Sequence, residues 1–350
     1  MKTGKRIIAV LAAALLVLGI GIPAASVKAA DDTVYEFDID FPNPETASAY
    51  KALVDWAAYL DEKSEGRIKM NIYSGGALGA LPDCVVNCES GVTDGFWSGV
   101  TIYPGVFPAT EVLALPMIGA KNFKVVNDVL NTLLDEYDVI SKEWSQFKVI
   151  ALHSSAGSPI LFADEVESVK DMAGKDLRIS NAYTTEWFSA KGANPVSVGI
   201  NDGYENIQKG VIKGGLFFFD QVESSALYEV IKTLYVGQSI YPLNMLCLNL
   251  DKYNELPDDL KAIIDESGDF FLETSINYFD EQQERMIKVC EDAGVKVIYE
   301  DEDSIAWLAD GAEKGWEKWI SNIDGQGLPG QEIFDKAQEY IEKFNAEYED

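Results

Sequence analysis

Apolar and polar residues alternate over positions 34–41, the period-two signature of a strand with one buried face. Tyr50, Leu53, Val54, Ala57 and Leu60 then recur every three or four residues. That spacing predicts an amphipathic helix, with Asn43-Pro44 as its start and Gly66-Arg67 as its end. Ile68, Met70 and Ile72 alternate along a second strand, and positions 75–79 form a glycine turn. Cys84 and Cys88 share one face of the next helix, and a short strand is predicted at 94–98. An apolar strand at 149–152 leads into His153 and a Ser/Gly/Pro loop. Beyond it the pattern gives a strand through Arg178, helices at 184–191 and 202–209, and an apolar strand at 215–219. Leu256-Pro257 opens a helical pattern that lasts to about Ala293, roughly 50 Å at 1.5 Å per residue, with a kink expected near Gly268. Helices at 307–320 and 332–347 finish the chain. Strand, helix and glycine turn keep alternating, which predicts an α/β fold. The late helix is too long for one small domain and reads as a brace across two lobes. No repeat or flexible linker interrupts the pattern, so a hinge between the lobes is expected.

The first 29 residues are expected to be a leader. Lys2, Lys5 and Arg6 precede an apolar run at 7–22, and Val27-Lys28-Ala29 supplies a cleavage site. The run is short for a membrane span, so the mature chain is expected to be exported to the periplasm and soluble. Charge sharpens that picture. The chain has 28 Lys+Arg against 58 Asp+Glu, a formal charge of −30. Removing the leader takes four basic residues and leaves 24 against 58, or −34. Such a surface repels nucleic acid and anionic membrane. The four cysteines, Cys84, Cys88, Cys247 and Cys290, permit disulfides in an oxidising compartment. Unpaired thiols, a Cys84–Cys88 bridge and metal binding all remain open.

Against this acidic background Arg178 stands out. It is flanked by Leu177 and Ile179 in a short strand, and a planar, permanently charged fork suits an anion gripped by parallel hydrogen bonds. The bland alternative is a structural arginine paired with an acidic neighbour. Phe217 or Phe219 could add an aromatic wall, joined by Trp97 and Trp187, for a carboxylate with an apolar body. Ser158, Tyr241 and Asn244 are further cleft candidates. So is His153, the single histidine, at the C-terminal end of its strand. No nucleophile elbow, H-E-x-x-H or phosphate-binding loop is present, so catalysis has little support, and no cofactor is expected. Glu300-Asp301-Glu302-Asp303 reads as helix-dipole charge and solvated surface rather than a metal site.

Several segments in order resemble the solute-binding proteins of TRAP (tripartite ATP-independent periplasmic) transporters, which include C4-dicarboxylate-binding proteins. They are Ser64-Glu65-Gly66-Arg67-Ile68, Leu78-Gly79, Gly91-Val92-Thr93-Asp94 and Leu115-Pro116, then Gly174-Lys175-Asp176-Leu177-Arg178 and Gly192-Ala193-Asn194-Pro195-Val196. Tyr204-Glu205-Asn206-Ile207-Gln208, Tyr228-Glu229-Val230 and Asn249 through Leu256-Pro257 complete the set. The resemblance implies a two-lobed periplasmic binding protein of type II-like architecture with a long helix across both lobes. Lobe I would comprise 30–154 plus 243–281, and lobe II 155–242 plus 282–350. Arg178 would pair with the carboxylate of a small organic acid, which a monomeric subunit delivers to a membrane permease. Three departures turn the expectation away from a polar dicarboxylate or sugar acid. Ser158 stands where many members carry another arginine, Lys213-Gly214 where many have Asp-Gly, and Phe217 where many place asparagine. An exported enzyme acting on an organic acid, or a sensing subunit docking to a receptor, are the alternatives.

Overall fold

In the computed structural model, which describes residues 33–179 and 181–348, two sheets carry the fold. The leader expected at 1–29 lies outside the described residues. The strands in chain order are β1 (Tyr35–Phe41), β2 (Ile68–Ser74), β3 (Gly95–Gly99), β4 (Phe147–Ser154), β5 (Ile160–Phe162) and β6 (Asp176–Ile179). Then follow β7 (Asn194–Ser197), β8 (Gly214–Leu216), β9 (Thr233–Val236), β10 (Leu243–Asn249) and β11 (Lys296–Tyr299). One sheet has the order β2-β1-β3-β10-β4, and the other β11-β9-β5-β8-β6-β7. Each contains a single strand, β10 or β5, antiparallel to both neighbours. The two-lobed α/β expectation is met.

Alternation in β1 explains the first lobe. Phe37, Ile39 and Phe41 bury one face against the helix Ser48–Lys63 and the long helix Asp258–Asp292. Asp40 points the other way and lies buried, 3.4 Å from the Cys84 thiol. The long helix has the predicted 35 residues. Leu260, Ile264, Phe271 and Phe279 belong to the first lobe's core, whereas Met286 and Cys290 belong to the second's. One helix therefore serves both lobes. The expected kink residue Gly268 has a packing role, since a Cβ there would come within 2.4 Å of the Ile150 carbonyl oxygen.

Four expectations need correction. The first helix starts at Ser48 rather than at Asn43-Pro44, because a turn from the Pro44 carbonyl to the Ala47 amide intervenes. The predicted strand at 215–219 stops at Leu216, and Phe219 opens the helix Phe219–Ser224. The helix predicted at 307–320 is two helices, Glu302–Ala309 and Glu313–Gly325, broken at Gly311 with φ +92. The last correction concerns the lobes. Trp319, Ile323, Ile333, Ala337 and Ile341 pack into the first lobe's core, so the end of the chain crosses back from the second lobe. The helix Gly330–Glu347 lies on the helix Phe123–Glu136, and the Trp319 indole donates to the Pro108 carbonyl at 3.0 Å.

The four cysteines are unpaired and buried, and burial pushes the Cys84 thiol up to about 12. Asp301 caps the helix Glu302–Ala309 by accepting from the Ser304 amide at 2.7 Å, the role expected of the acidic run. Two further segments join the lobes, at 155–159 and 237–242. They lie side by side, with the Ser158 amide donating to the Ile240 carbonyl at 2.8 Å. Gly157 approaches Gly237 so closely that a Cβ would sit 2.6 Å from its carbonyl oxygen.

Candidate functional site

Arg178 lies in β6, in register with Val196 of β7 and Gly215 of β8. Gly215 has φ +148, and a Cβ there would come within 2.5 Å of the Arg178 carbonyl oxygen. Only a glycine lets β8 pass so close beneath the arginine. The side chain is then fixed on three sides. Nε donates to the Val198 carbonyl at 3.1 Å, Nη1 donates to the Leu216 carbonyl at 2.5 Å, and the guanidinium sits 5.1 Å from the centre of the Phe217 ring. That ring has room because residue 203 is glycine, where a Cβ would meet its edge at 2.5 Å. Arg178 is only 5% exposed, yet among the described residues no carboxylate pairs with it and Nη2 makes no hydrogen bond. Burial without a counter-ion lowers its pKa to about 10. The fork is oriented by carbonyls and a ring, with one edge left over for an anion.

The first lobe contains an aromatic cluster in the middle of β3 and near the end of β4. The Trp97 indole donates to His153 Nε2 at 3.0 Å, and His153 stacks on Phe279 with ring centres 5.6 Å apart. Phe41 lies 5.4 Å from Trp97, and Phe271 meets His153 edge-on. Desolvation lowers the His153 pKa to about 4, so the ring is neutral and its Nε2 is the acceptor. Asn244 of β10 pairs in register with His153 on one side and Gly99 on the other. It is 7% exposed, and its amide has no hydrogen-bond partner among the described residues. In the crossover, the Ser158 hydroxyl is buried and unsatisfied.

The remaining candidates sit in packed interiors. Trp187 is fully buried in the second lobe and donates to the Leu308 carbonyl at 2.7 Å. Phe219 packs with Val222 and Leu227. The Tyr241 hydroxyl lies 2.6 Å from Gln238 Oε1 and 3.0 Å from the Ala120 carbonyl. The structure thus brings Arg178 together with Phe217, and Trp97 with His153. Two further polar residues were passed over in the sequence. Asp220 follows the phenylalanine run on the helix Phe219–Ser224, and Gln282 lies on the long helix between Phe279 and Met286. The acid after three aromatics was the available signal for Asp220. Among the described residues, no group of three His, Cys, Asp or Glu side chains is placed to hold a metal.

Comparison with known proteins gives the family and the fold. Residues 42–322 match the family model for bacterial extracellular solute-binding proteins, family 7. A solute-binding protein of Chromohalobacter salexigens is 26% identical over 262 residues, covering 73% of this chain and 76% of the relative. A marine-metagenome TRAP solute-binding protein specific for aromatic acid ligands, solved with 3-hydroxybenzoate, superposes with a TM-score of 0.80 at 24% identity. It covers 89% of this chain and 99% of its own. A TRAP periplasmic solute-binding protein from Chromohalobacter salexigens with bound D-glucuronate gives 0.76 at 21% identity, covering 87% and 99%.

Proposed function

Because the chain belongs to the bacterial extracellular solute-binding proteins of family 7, we propose that it is the solute-capturing subunit of a TRAP transporter. It holds an organic acid between its lobes on Arg178 and delivers it to a membrane permease. One observation carries the reading: a nearly buried guanidinium, held by backbone carbonyls, has an uncommitted edge and no carboxylate partner among the described residues. Burying a charge without a partner is costly, and a ligand carboxylate removes that cost. The family membership places the chain among binding proteins rather than enzymes.

The ligand class follows from what surrounds the clamp. With Ser158 in the crossover and Phe217 beneath the guanidinium, the site offers one strong carboxylate position. That favours a monocarboxylate with an apolar or aromatic body over a C4-dicarboxylate. The aromatic acid bound by one structural neighbour supports this choice, while the sugar acid bound by another marks the competing class. Asn244 and the Ser158 hydroxyl complete the polar rim, and the Trp97–His153 cluster backs the opposite wall. Lobe I would comprise 30–154 plus 243–281, with the closing helices returning to it. A leader at 1–29 would direct this monomeric subunit to the periplasm.

The test is a thermal-shift and calorimetry panel of aromatic acids, C4-dicarboxylates and sugar acids against the wild type, Arg178→Ala and Arg178→Lys. A ligand bound only to the folded state adds about 2.7 kcal/mol at a hundredfold excess over Kd. Aromatic acids should shift the wild type and neither variant, because lysine keeps the charge but not the fork. Loss of a buried charge partner costs roughly 2–5 kcal/mol, so affinity should fall at least thirtyfold. Equal shifts in the wild type and Arg178→Ala would place the clamp elsewhere.

A further inference from the structure

Beside the crossover at 237–242 the two lobes also touch directly. The first lobe sends out the segment 115–119. Leu115 and Ile118 stay in its own core, while Met117 packs against the second lobe's core around Leu177 and Ile179. The Met117 amide donates to the Ser239 carbonyl of the crossover at 2.7 Å. The helix Glu313–Gly325 fastens the segment in place. Its Trp316 indole donates to the Pro116 carbonyl at 2.8 Å, and the ring packs on the cores of both lobes. At Gly315 of the same helix the two lobes meet. A Cβ there would stand 2.8 Å from the carbonyl oxygen of Tyr183, on the second-lobe helix Ala182–Ala190, and 3.1 Å from the Pro116 ring. Tyr183 in turn packs against the first lobe's core.

This contact and Arg178 lie on opposite faces of the second sheet. Side chains alternate along a strand. Leu177 and Ile179 share the core that Met117 and Trp316 pack against, whereas Arg178 between them meets Phe217, a member of the other core. The first sheet is divided likewise: Trp97 belongs to the core under the long helix, and its neighbour Phe96 to the core that Tyr183 touches. Among the described residues, no hydrogen bond or ion pair joins Arg178 to the Trp97–His153 cluster. The lobes are fastened behind the clamp and separate in front of it. Lobes that turn about the crossovers cannot close in front without parting or sliding behind. Met117 adds strain to the rear contact. Its φ of +49 is left-handed, a conformation that a residue with a long side chain keeps only while its surroundings hold it.

Building on the solute-binding reading above, we propose that Pro116, Met117, Tyr183, Gly315 and Trp316 form an autoinhibitory latch. It holds the lobes apart at the ligand face and so sets the affinity for the acid. Closure on a ligand must release it. The apparent affinity of a site is its intrinsic affinity scaled by the fraction of molecules already in the competent state, and the latch lowers that fraction. Weakening the latch therefore tightens ligand binding. A contact that only supports the fold would act the other way, or not at all.

Gly315→Ala and Trp316→Phe test this by different routes. The first adds a methyl group that must part the helix from Tyr183, in an exchange that otherwise favours a helix. The second keeps an aromatic ring and removes the hydrogen bond to Pro116. Small-angle scattering without added ligand should give both variants a smaller radius of gyration than the wild type. Calorimetry with benzoate, succinate and D-glucuronate, one acid for each ligand class, supplies the second readout. For any acid that binds the wild type, Kd should fall about two- to tenfold in both variants, the scale of one hydrogen bond. Urea unfolding checks that each variant folds. An unchanged or larger radius overturns the latch, and so does a Kd that is unchanged or higher. If none of the three acids binds the wild type, the organic-acid reading fails as stated, and the radii still decide whether the latch exists.

Discussion

A charged or titratable side chain inside a protein needs a partner or a change of protonation, and Arg178 and His153 take the two different routes. Arg178 keeps its charge, held by two carbonyls and the Phe217 ring. His153 gives its charge up. Its folded pKa is about 4 against an ordinary value of 6.5, so between those values the unfolded chain binds the extra proton. Stability then rises with pH across that window and is lost as pH falls from about 6.5 to 4. A gap of that size is worth about 3 kcal/mol at most. His153→Gln keeps an acceptor for the Trp97 indole without a titratable group. Urea unfolding at pH 7 and 4.5 should show the wild type losing about 2 kcal/mol more than the variant. Equal losses would mean that the ring is not held neutral. These two residues also show what a chain can reveal. Arg178 was legible because a charge between Leu177 and Ile179 in an acidic protein has few reasons to exist. The burial of His153 was not, because its partners Trp97, Phe271 and Phe279 are far away in sequence.

Elements were legible where their period was sustained and misread where a glycine or an aromatic run gave two meanings. The long helix declared itself through 35 residues of repeating pattern, but Gly268 looked like a kink when its role is contact with the Ile150 carbonyl. Phe217, Phe218 and Phe219 read as a strand because β-propensity is high for all three. Their separation into a strand exit and a helix start depends on β8 passing between β5 and β6. That misreading hid Asp220, which falls on a helix facing another helix rather than in a loop. The terminal helices show the same limit differently: an amphipathic pattern says that one face is buried, never against which lobe. The local packing is testable at Gly203, which makes room for the Phe217 ring. A Cβ added there would sit 2.5 Å from the ring edge, so Gly203→Ala must displace it. Overpacking of this kind costs about 1–3 kcal/mol. Because Phe217 supports the guanidinium, carboxylate affinity should also fall, by about tenfold if the cation–π contact is lost. Chemical denaturation and calorimetry on the same variant separate the two effects. Unchanged affinity in a destabilised variant would show that the ring does not position Arg178.

At the scale of the whole molecule, two facts pull against each other: the candidate ligand is an anion, and the protein carries a formal charge of −30. The local field at Arg178 is attractive once a ligand is in the cleft, but the distant field repels it during approach. Salt screens the two unequally. The Debye length shrinks from about 30 Å at 0.01 M to about 8 Å at 0.15 M, while contact within the buried site is screened much less. Association of a carboxylate should therefore accelerate as salt rises over this range. Proteins that steer an oppositely charged ligand show the reverse. Stopped-flow measurement of on- and off-rates at several NaCl concentrations, with sulfate excluded as a competing anion, reads the effect directly. The off-rate should change little, since it reports the contact at Arg178. An on-rate that falls with salt would mean that Arg178 dominates the approach field despite the net charge. Closure belongs to the same scale, since the long helix and both crossovers must accommodate any lobe movement. The approach of Gly157 to Gly237 leaves no room for a side chain between them. Gly157→Val should push the crossovers apart and hinder closure, raising the off-rate while leaving the salt dependence of the on-rate as in the wild type. A variant that slows association and leaves dissociation unchanged would place the barrier in ligand entry instead of lobe closure.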